Sequence, residues 1–215
     1  IYDGVVFENN EINNKNTNKI ALLNYAKSNA VTIASVSFTN NNTYDNAMIK
    51  FTGNGSKDLG HIRIVENRGR GIEVDAGRIN FNEEVIIASN TNATYGTGLT
   101  ILNGAVINLN ATISIVNNIA SDKGAGIYAK DSVLSLSDKI KLENNTADNG
   151  GAIYAEDSDV VANDAEYVIS GNNGLNASAL YVKNNAGKNN RVSSISIVGN
   201  TNTGDTLVKF EGNGN

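Results

Sequence analysis

Three tyrosines recur at a nearly constant spacing in the C-terminal half of the chain. Tyr128, Tyr154 and Tyr181 lie 26 and 27 residues apart, each within a short apolar stretch. Rings repeated once per structural unit could form an exposed platform for sugar rings or for the apolar edge of a partner, because aromatic faces give contact area at low entropic cost. Alternatively, the rings pack on one another and stabilise an outer sheet face.

Acidic residues and a single histidine are the other candidates for chemistry. Asp131 and Asp157 are each followed by Ser, and Asp75 occupies a similar place. Stacked carboxylates could hold Ca²⁺ or act as the acid pair of a glycoside hydrolase, but Asp-Ser also caps turns, which is the interpretation we favour. His61 has no partner for a His-based metal cluster, and Cys is absent, so we predict no metal, no cofactor and no catalytic residue.

A basic cluster gives the enzyme alternative its best support. Polysaccharide lyases on repetitive β folds use a basic residue to abstract a proton, and four arginines occur between positions 63 and 78. We expect instead a solvated surface on which these charges balance nearby glutamates, with His61 also at the surface. The arginines are Arg63, Arg68, Arg70 and Arg78, and the glutamates are Glu66, Glu73, Glu83 and Glu84.

The elements that must position these residues follow a repeat. An apolar, any, apolar pattern followed by two further residues and then Asn occurs about eight times, in stretches such as "ISIVNN" and "IKLENN". The spacing between copies is roughly 23 to 31 residues. The repeated asparagines are Asn10, Asn41, Asn67, Asn90, Asn118, Asn145, Asn172 and Asn200.

A second short strand follows each copy of the pattern, and a third follows in most units. The second strand opens with a small residue, as in "GIYA" from Gly126 and "AIYA" from Ala152, and the third is exemplified by "VINL" from Val106. Three strands per unit of this length predict an all-β fold, a right-handed parallel β-helix (solenoid) of about eight coils with three short strands per coil. Residues 1–215 are expected to form a single β-helix domain, a fragment of a longer protein.

The corner residues fit this geometry. The recurring asparagines are expected to adopt left-handed backbone and to stack as a ladder whose amides satisfy buried polar groups. Glycine before the second strand is expected to supply a positive φ. Within "GIYA", Ile127 and Ala129 should point into the bore and Tyr128 outward.

Composition agrees with an all-β chain and excludes several classes of function. The chain has 38 Asn, 21 Gly and no Pro, where about ten prolines would be average, and interior parallel strands need every N–H. A net charge of -5 and a pI near 4.9 do not suggest a nucleic-acid partner. The apolar stretches are too short to span a bilayer as helices.

The corner motifs resemble the repeats of chlamydial polymorphic outer-membrane proteins, written Phe-x-x-Asn and Gly-Gly-Ala-(Ile/Leu/Val). "FENN" from Phe7, "FTNN" from Phe38, "FTGN" from Phe51 and "FEGN" from Phe210 match the first motif. "GGAI" from Gly150 matches the second, and "GAGI" from Gly124 nearly does. Similar repeats occur in autotransporter-type adhesin passengers of other bacteria.

The resemblance implies a non-catalytic adhesin passenger on the bacterial cell surface (outer membrane) or secreted. Its partner would be a host-cell surface protein or glycan, and its contact with the membrane would run only through a C-terminal barrel beyond this stretch. The alternative is a carbohydrate-active enzyme, a polysaccharide lyase or a tailspike-like glycanase, on the same fold. Ice binding would need a Thr-x-Thr ladder, which the sequence lacks.

Overall fold

A computed structural model describes residues 4–12, 21–137, 139–162, 167–185, 187–192, 195–204 and 206–212. Within these residues the regular structure consists of β-strands, and every strand pairing is parallel. The predicted all-β parallel β-helix is confirmed, with about seven turns where about eight were expected. None of the described segments forms a helix long and apolar enough to cross a membrane.

One sheet has thirteen strands and two branches. Its first branch runs into the corner asparagines, and each strand pairs with its equivalent on the next turn. The strands of this branch are β1 (Val5–Glu8), β3 (Val31–Thr39), β5 (Ser56–Val65), β8 (Val85–Ala88), β12 (Ile113–Val116), β16 (Ile140–Glu143), β19 (Tyr167–Ser170) and β23 (Ile195–Val198).

The second branch holds the predicted third strand of each coil. In the first turns β3 and β5 run through both branches without a break; later turns separate them by a short corner such as residues 82–84. The branch consists of the N-terminal halves of β3 and β5 together with β7 (Arg78–Phe81), β11 (Val106–Leu109), β15 (Val133–Leu136), β18 (Asp159–Ala162) and β22 (Asn190–Arg191).

The other large sheet has eight strands and carries the tyrosines. Its strands are β2 (Leu23–Tyr25), β4 (Asn42–Thr52), β6 (Arg68–Asp75), β10 (Leu99–Leu102), β14 (Ile127–Lys130), β17 (Ile153–Glu156), β21 (Leu180–Asn184) and β25 (Val208–Gly212). Two small sheets lie between the corner asparagines and this sheet. They pair β9 (Ala93–Tyr95) with β13 (Ala120–Lys123), and β20 (Asn173–Gly174) with β24 (Thr201–Asn202).

The bore is filled by apolar side chains that stack from turn to turn. Alternation along each strand sends every second residue inward, and parallel register repeats the choice on the next turn. The rings of Phe7 and Phe38 stack with centroids 4.6 Å apart and nearly parallel planes. The same column continues through Ile64, Ile87, Ile115, Leu142, Ile169 and Ile197.

The corner geometry differs from the prediction by one residue. The ladder asparagines do not have positive φ; the residue immediately before each of them does. A short polar side chain or glycine tolerates this left-handed turn best, although Glu also occupies one of these positions here. These left-handed residues are Asn9, Asn40, Glu66, Ser89, Asn117, Asn144, Gly171 and Gly199.

The small residue that opens the second strand also has a different reason from the predicted one. Gly98 is not among the positive-φ residues; a Cβ there would collide with the carbonyl oxygen of Gly126 and with the Ile115 side chain. The left-handed position lies two residues earlier, at Gly96 and, on the next turn, at Gly124. A small residue is therefore needed at position 98 because the backbone there lies against the next turn and the Ile115 side chain.

Candidate functional site

The eight corner asparagines form one hydrogen-bonded stack. In each step the backbone N–H and the side-chain Nδ2 of one asparagine donate to Oδ1 of the asparagine on the next turn, over 2.8 to 3.2 Å. The six inner members of the stack are almost fully buried. A buried polar group needs such partners, because leaving it unpaired costs on the order of 1–3 kcal/mol.

The second amide hydrogen of the stacked side chains from Asn41 onward is also used. Asn118 Nδ2 donates to the Ile87 carbonyl oxygen at 2.9 Å, and Asn145 Nδ2 donates to that of Ile115 at 2.9 Å. The stack thus ties each turn to the turns on both sides of it. With donors and acceptor satisfied inside the protein, the stack has a structural role and little capacity to bind a ligand.

The three tyrosines share one column of the eight-stranded sheet, but they are not exposed. Tyr128 pairs in register with Tyr154, which pairs with Tyr181, and the ring centroids are 5.9 and 4.9 Å apart. They point away from the bore as predicted, yet only 7%, 3% and 7% of their surface is accessible. The expectation of an exposed platform is wrong, because these rings form a small apolar cluster of their own with Leu102, Tyr95 and Ala177.

Tyr95 extends this tyrosine row beyond the predicted three members. Its ring lies 4.7 Å from that of Tyr128, although it comes from the preceding segment rather than from the sheet. The sheet position in register with Tyr128 is Thr100, which is fully buried and donates through Oγ1 to the Gly96 carbonyl oxygen. We infer that Tyr95 occupies the space that the small side chain of Thr100 leaves in the column.

Ion pairs border the tyrosine row. Lys130 Nζ lies 3.0 Å from Glu156 Oε1, and Lys123 Nζ lies 3.6 Å from Glu156 Oε2 and 5.0 Å from the Tyr154 ring centroid. Burial alone would raise the pKa of Glu156, but the hydrogen bond and charge of Lys130 lower it below its usual value. Burial raises the pKa of Tyr128 and of Tyr154 above the ordinary value of a phenol.

The stacked aspartates lie at a corner of each turn. Asp131 and Asp157 both have positive φ, and Asp157 Oδ1 accepts a hydrogen bond from the Asn185 backbone N–H at 2.6 Å. Asp75 accepts from Asn103 Nδ2 at 2.6 Å. These are turn-stabilising contacts, and the described residues contain no group of three or more His, Asp or Glu placed to hold a metal ion.

The structure divides the arginines of the predicted basic cluster: Arg68 and Arg70 lie on β6 of the eight-stranded sheet, and the other two lie on the thirteen-stranded sheet. Arg63 lies on the first branch of the thirteen-stranded sheet and Arg78 on the second, where its Nη1 donates to Asn108 Oδ1 at 3.3 Å. The prediction of a solvated surface is wrong for Arg70 and Glu73, which are both buried and lie 3.0 Å apart.

His61 is a surface histidine, as expected. Its Nε2 lies 2.9 Å from Glu83 Oε2, and both side chains are more than half exposed. It borders a shallow groove of about 270 Å³ that Arg63, Glu84 and Ser35 also line.

Sequence reasoning missed a buried lysine in the bore. Lys57 is in register with the core residue Ile79 and is fully buried; its ammonium donates to the carbonyl oxygens of Gly53 and Gly55. Burial lowers the pKa of this lysine. Strict alternation from Leu59 back to Lys57 places it inward and could have revealed it.

Two stretches of the chain match the Chlamydia polymorphic membrane protein (Chlamydia_PMP) repeat, at residues 112–130 and 139–156. They cover two consecutive turns that include the ladder residues Asn118 and Asn145 and the row residues Tyr128 and Tyr154. The chain therefore carries this repeat, and the repeat and the β-solenoid fit an adhesin-type passenger. No curated protein and no solved structure matches the chain.

Proposed function

We propose that this chain is a segment of a bacterial adhesin passenger, displayed at the cell surface or secreted, that binds a host-cell surface protein or glycan without catalysis. The observation that carries the proposal is the even size of the turns. Asparagines bonded across one turn are 23 to 31 residues apart, and 27 or 28 apart from Asn90 onward. Turns of similar length build long, shallow outer faces rather than a deep substrate cleft.

Different residues of the solenoid maintain the fold and form its outer faces, which suits a protein that displays a binding surface. The ladder and the apolar bore hold the turns together, so residues on the outer faces can vary without loss of the fold. A stiff rod of this kind holds its outer faces at a fixed distance from the cell. The proposed partner is a host protein or glycan rather than a nucleic acid, which is consistent with the net charge of -5.

The direct test is binding of the labelled chain to cultured host cells and to a glycan array. We expect saturable binding by the folded chain and none by the heat-unfolded chain. Absence of binding by the folded chain to both cells and array would contradict the proposal.

The rival function is tested with acidic polysaccharides such as polygalacturonate. A lyase would generate unsaturated ends, and a glycanase would generate reducing ends. We expect neither. Turnover that disappears on replacing His61, one of the ionisable residues that line the groove of about 270 Å³, would replace the adhesin proposal with an enzymatic one.

A further inference from the structure

Arg70 is a fully buried arginine whose hydrogen-bonding capacity the protein does not use. Its accessible surface is 0%. Nη2 lies 3.0 Å from Glu73 Oε2, but Nε, Nη1 and Nη2 have no hydrogen-bond partner with good geometry among the described residues. A buried guanidinium in this condition is costly, since five donors have lost water and gained one ion pair.

The charge around Arg70 is also unbalanced. The Glu73 carboxylate is shared between two cations, because Lys50 Nζ lies 2.6 Å from its other oxygen. Lys50 is largely buried too, with 17% of its side chain accessible. Two positive charges and one negative charge leave a net positive charge in a place of low polarity, where an added anion would be stabilised.

An aromatic ring lies directly beside this charge. The Arg70 guanidinium carbon is 4.8 Å from the centroid of Tyr95, the residue that begins the tyrosine row. Tyr95 is only partly buried, unlike the rest of the row. A cation that can hold a carboxylate thus lies next to an aromatic side chain that is partly accessible to solvent.

A separate piece of chain passes over the turn that carries Arg70. In β4 the register with β6 breaks between Asn42 and Ala47, and the intervening residues 43–46 form a bulge opposite Gly69. Asp45 of this bulge accepts from Thr94 N–H at 2.8 Å and from Thr94 Oγ1 at 3.1 Å, across the intervening turn. Both bonds are exposed to solvent, so they break at low cost.

We propose that Arg70, Lys50 and Tyr95 form a binding site for an acidic sugar, and that the 43–46 bulge is its cover. The sugar carboxylate pairs with the Arg70 fork once the Asp45–Thr94 bonds open, and the sugar ring lies against the accessible part of Tyr95. The inference rests on the proposed function, for which it names the class of ligand.

The test uses the full chain and two pairs of probes. Trigalacturonate is compared with its methyl ester, and 3′-sialyllactose with lactose, by isothermal titration calorimetry at low ionic strength. We expect the acidic member of at least one pair to bind and the neutral member not to bind. An Asp/Glu tripeptide amide and sulfate are further probes; equal binding of either would overturn the assignment to a sugar.

Two variants should move the affinity in opposite directions. Arg70→Gln removes the charge and should lower the affinity about tenfold or more. Asp45→Ala combined with Thr94→Val removes the closing bonds and should raise it about three- to tenfold. Arg63→Gln, an arginine on another face, and Asp75→Asn, another carboxylate bonded across turns, are the matched controls and should leave it unchanged.

The outcomes separate this inference from the proposed function. If the chain binds host cells equally well with Gln at position 70 and binds neither acidic probe, the site is wrong and the adhesin proposal stands. Binding to neither cells nor sugars overturns both. The unfolding midpoint of Arg70→Gln will show whether this variant folds. If it does not fold, the Asp45/Thr94 variant is the deciding test. Unchanged or weaker binding of the acidic probe by that variant would overturn the proposal that residues 43–46 cover the site.

Discussion

Two columns run the length of the solenoid, and they differ in how strictly they are kept. At the corner, Asn recurs on every turn, and each of the six inner asparagines makes the same three hydrogen bonds, as Asn118 does. The outward column of the eight-stranded sheet changes its residue type along its length, reading Asn24, Lys50, Glu73, Thr100, Tyr128, Tyr154, Tyr181 and Lys209.

The contrast separates residues that maintain the stack from residues that are free to differ. An amide buried between turns has one arrangement that satisfies it, so its position admits one residue type. The outward column has to fill space and pair charges, which several side chains can do. We therefore expect stability to depend first on the ladder, and the outward column to tolerate a change of residue type better than the ladder does.

The largest expected effect is at the centre of the ladder. Asn118→Ala removes the acceptor for the Asn90 backbone N–H and one acceptor for its side chain, and also leaves the Ile87 carbonyl oxygen without its partner. We expect a loss of about 3–6 kcal/mol in the free energy of unfolding. Urea denaturation measures it, and Asn10→Ala at the exposed end of the stack is the control, with a much smaller loss.

A core truncation should come next. Ile115→Ala opens a cavity between Ile87 and Leu142 and should cost about 2–5 kcal/mol. Ser114→Ala on the same strand faces outward and should change the stability by less than about 0.5 kcal/mol. Equal losses from the two variants would contradict the assignment of inward and outward faces.

The tyrosine row should contribute to stability because its rings are covered. Tyr154→Ala should lower the free energy of unfolding by about 2–4 kcal/mol, since it removes a ring packed between Tyr128 and Tyr181. Tyr154→Phe keeps the ring and should cost less than about 1 kcal/mol. If Tyr154→Ala did not lower the free energy of unfolding, the rings would have to be exposed, as their spacing first suggested.

The smallest effect concerns the ion pairs beside the row. Lys130 lowers the pKa of Glu156 and its own pKa is raised. A lowered carboxyl pKa adds stability above the unfolded value of about 4.3, and this stability is lost as pH falls through the folded pKa.

Lys130→Gln should therefore cost about 0.2–1 kcal/mol at pH 7 and progressively less below pH 4. Unfolding curves at several pH values measure this, with Lys139→Gln as control because Lys139 bonds a backbone carbonyl oxygen. A cost that does not change with pH would show that Glu156 is not involved.

The repeat made the ladder, the strands and their inward faces predictable. Every turn places Asn and apolar residues in the same register, so the period identifies Asn118 or Ile115 without any structure. The period cannot predict whether an outward side chain is covered by another segment of the chain. Tyr128 points outward as its alternation requires, but the segment that carries Tyr95 packs beside it, and this segment is the least regular part of each unit.

The same limit explains why the sequence did not predict the burial of Arg70 and Glu73. Their charge indicates an exposed face, and only the placement of residues 43–46 and Tyr95 shows that the face is covered. The left-handed corner was predicted one residue too late because two neighbouring asparagines often occur there, as at Asn117 and Asn118.

Removal of one complete turn tests the solenoid most directly. Asn118 and Asn145 are equivalent and 27 residues apart, so deleting residues 119–145 joins Asn118 to Thr146, the residue that pairs with Ile119. We predict that this variant keeps the β-sheet circular dichroism spectrum and cooperative unfolding, whereas a deletion of residues 119–138 does not fold. If both deletions unfolded the chain, or if both left it equally stable, the stacking of equivalent turns would be contradicted.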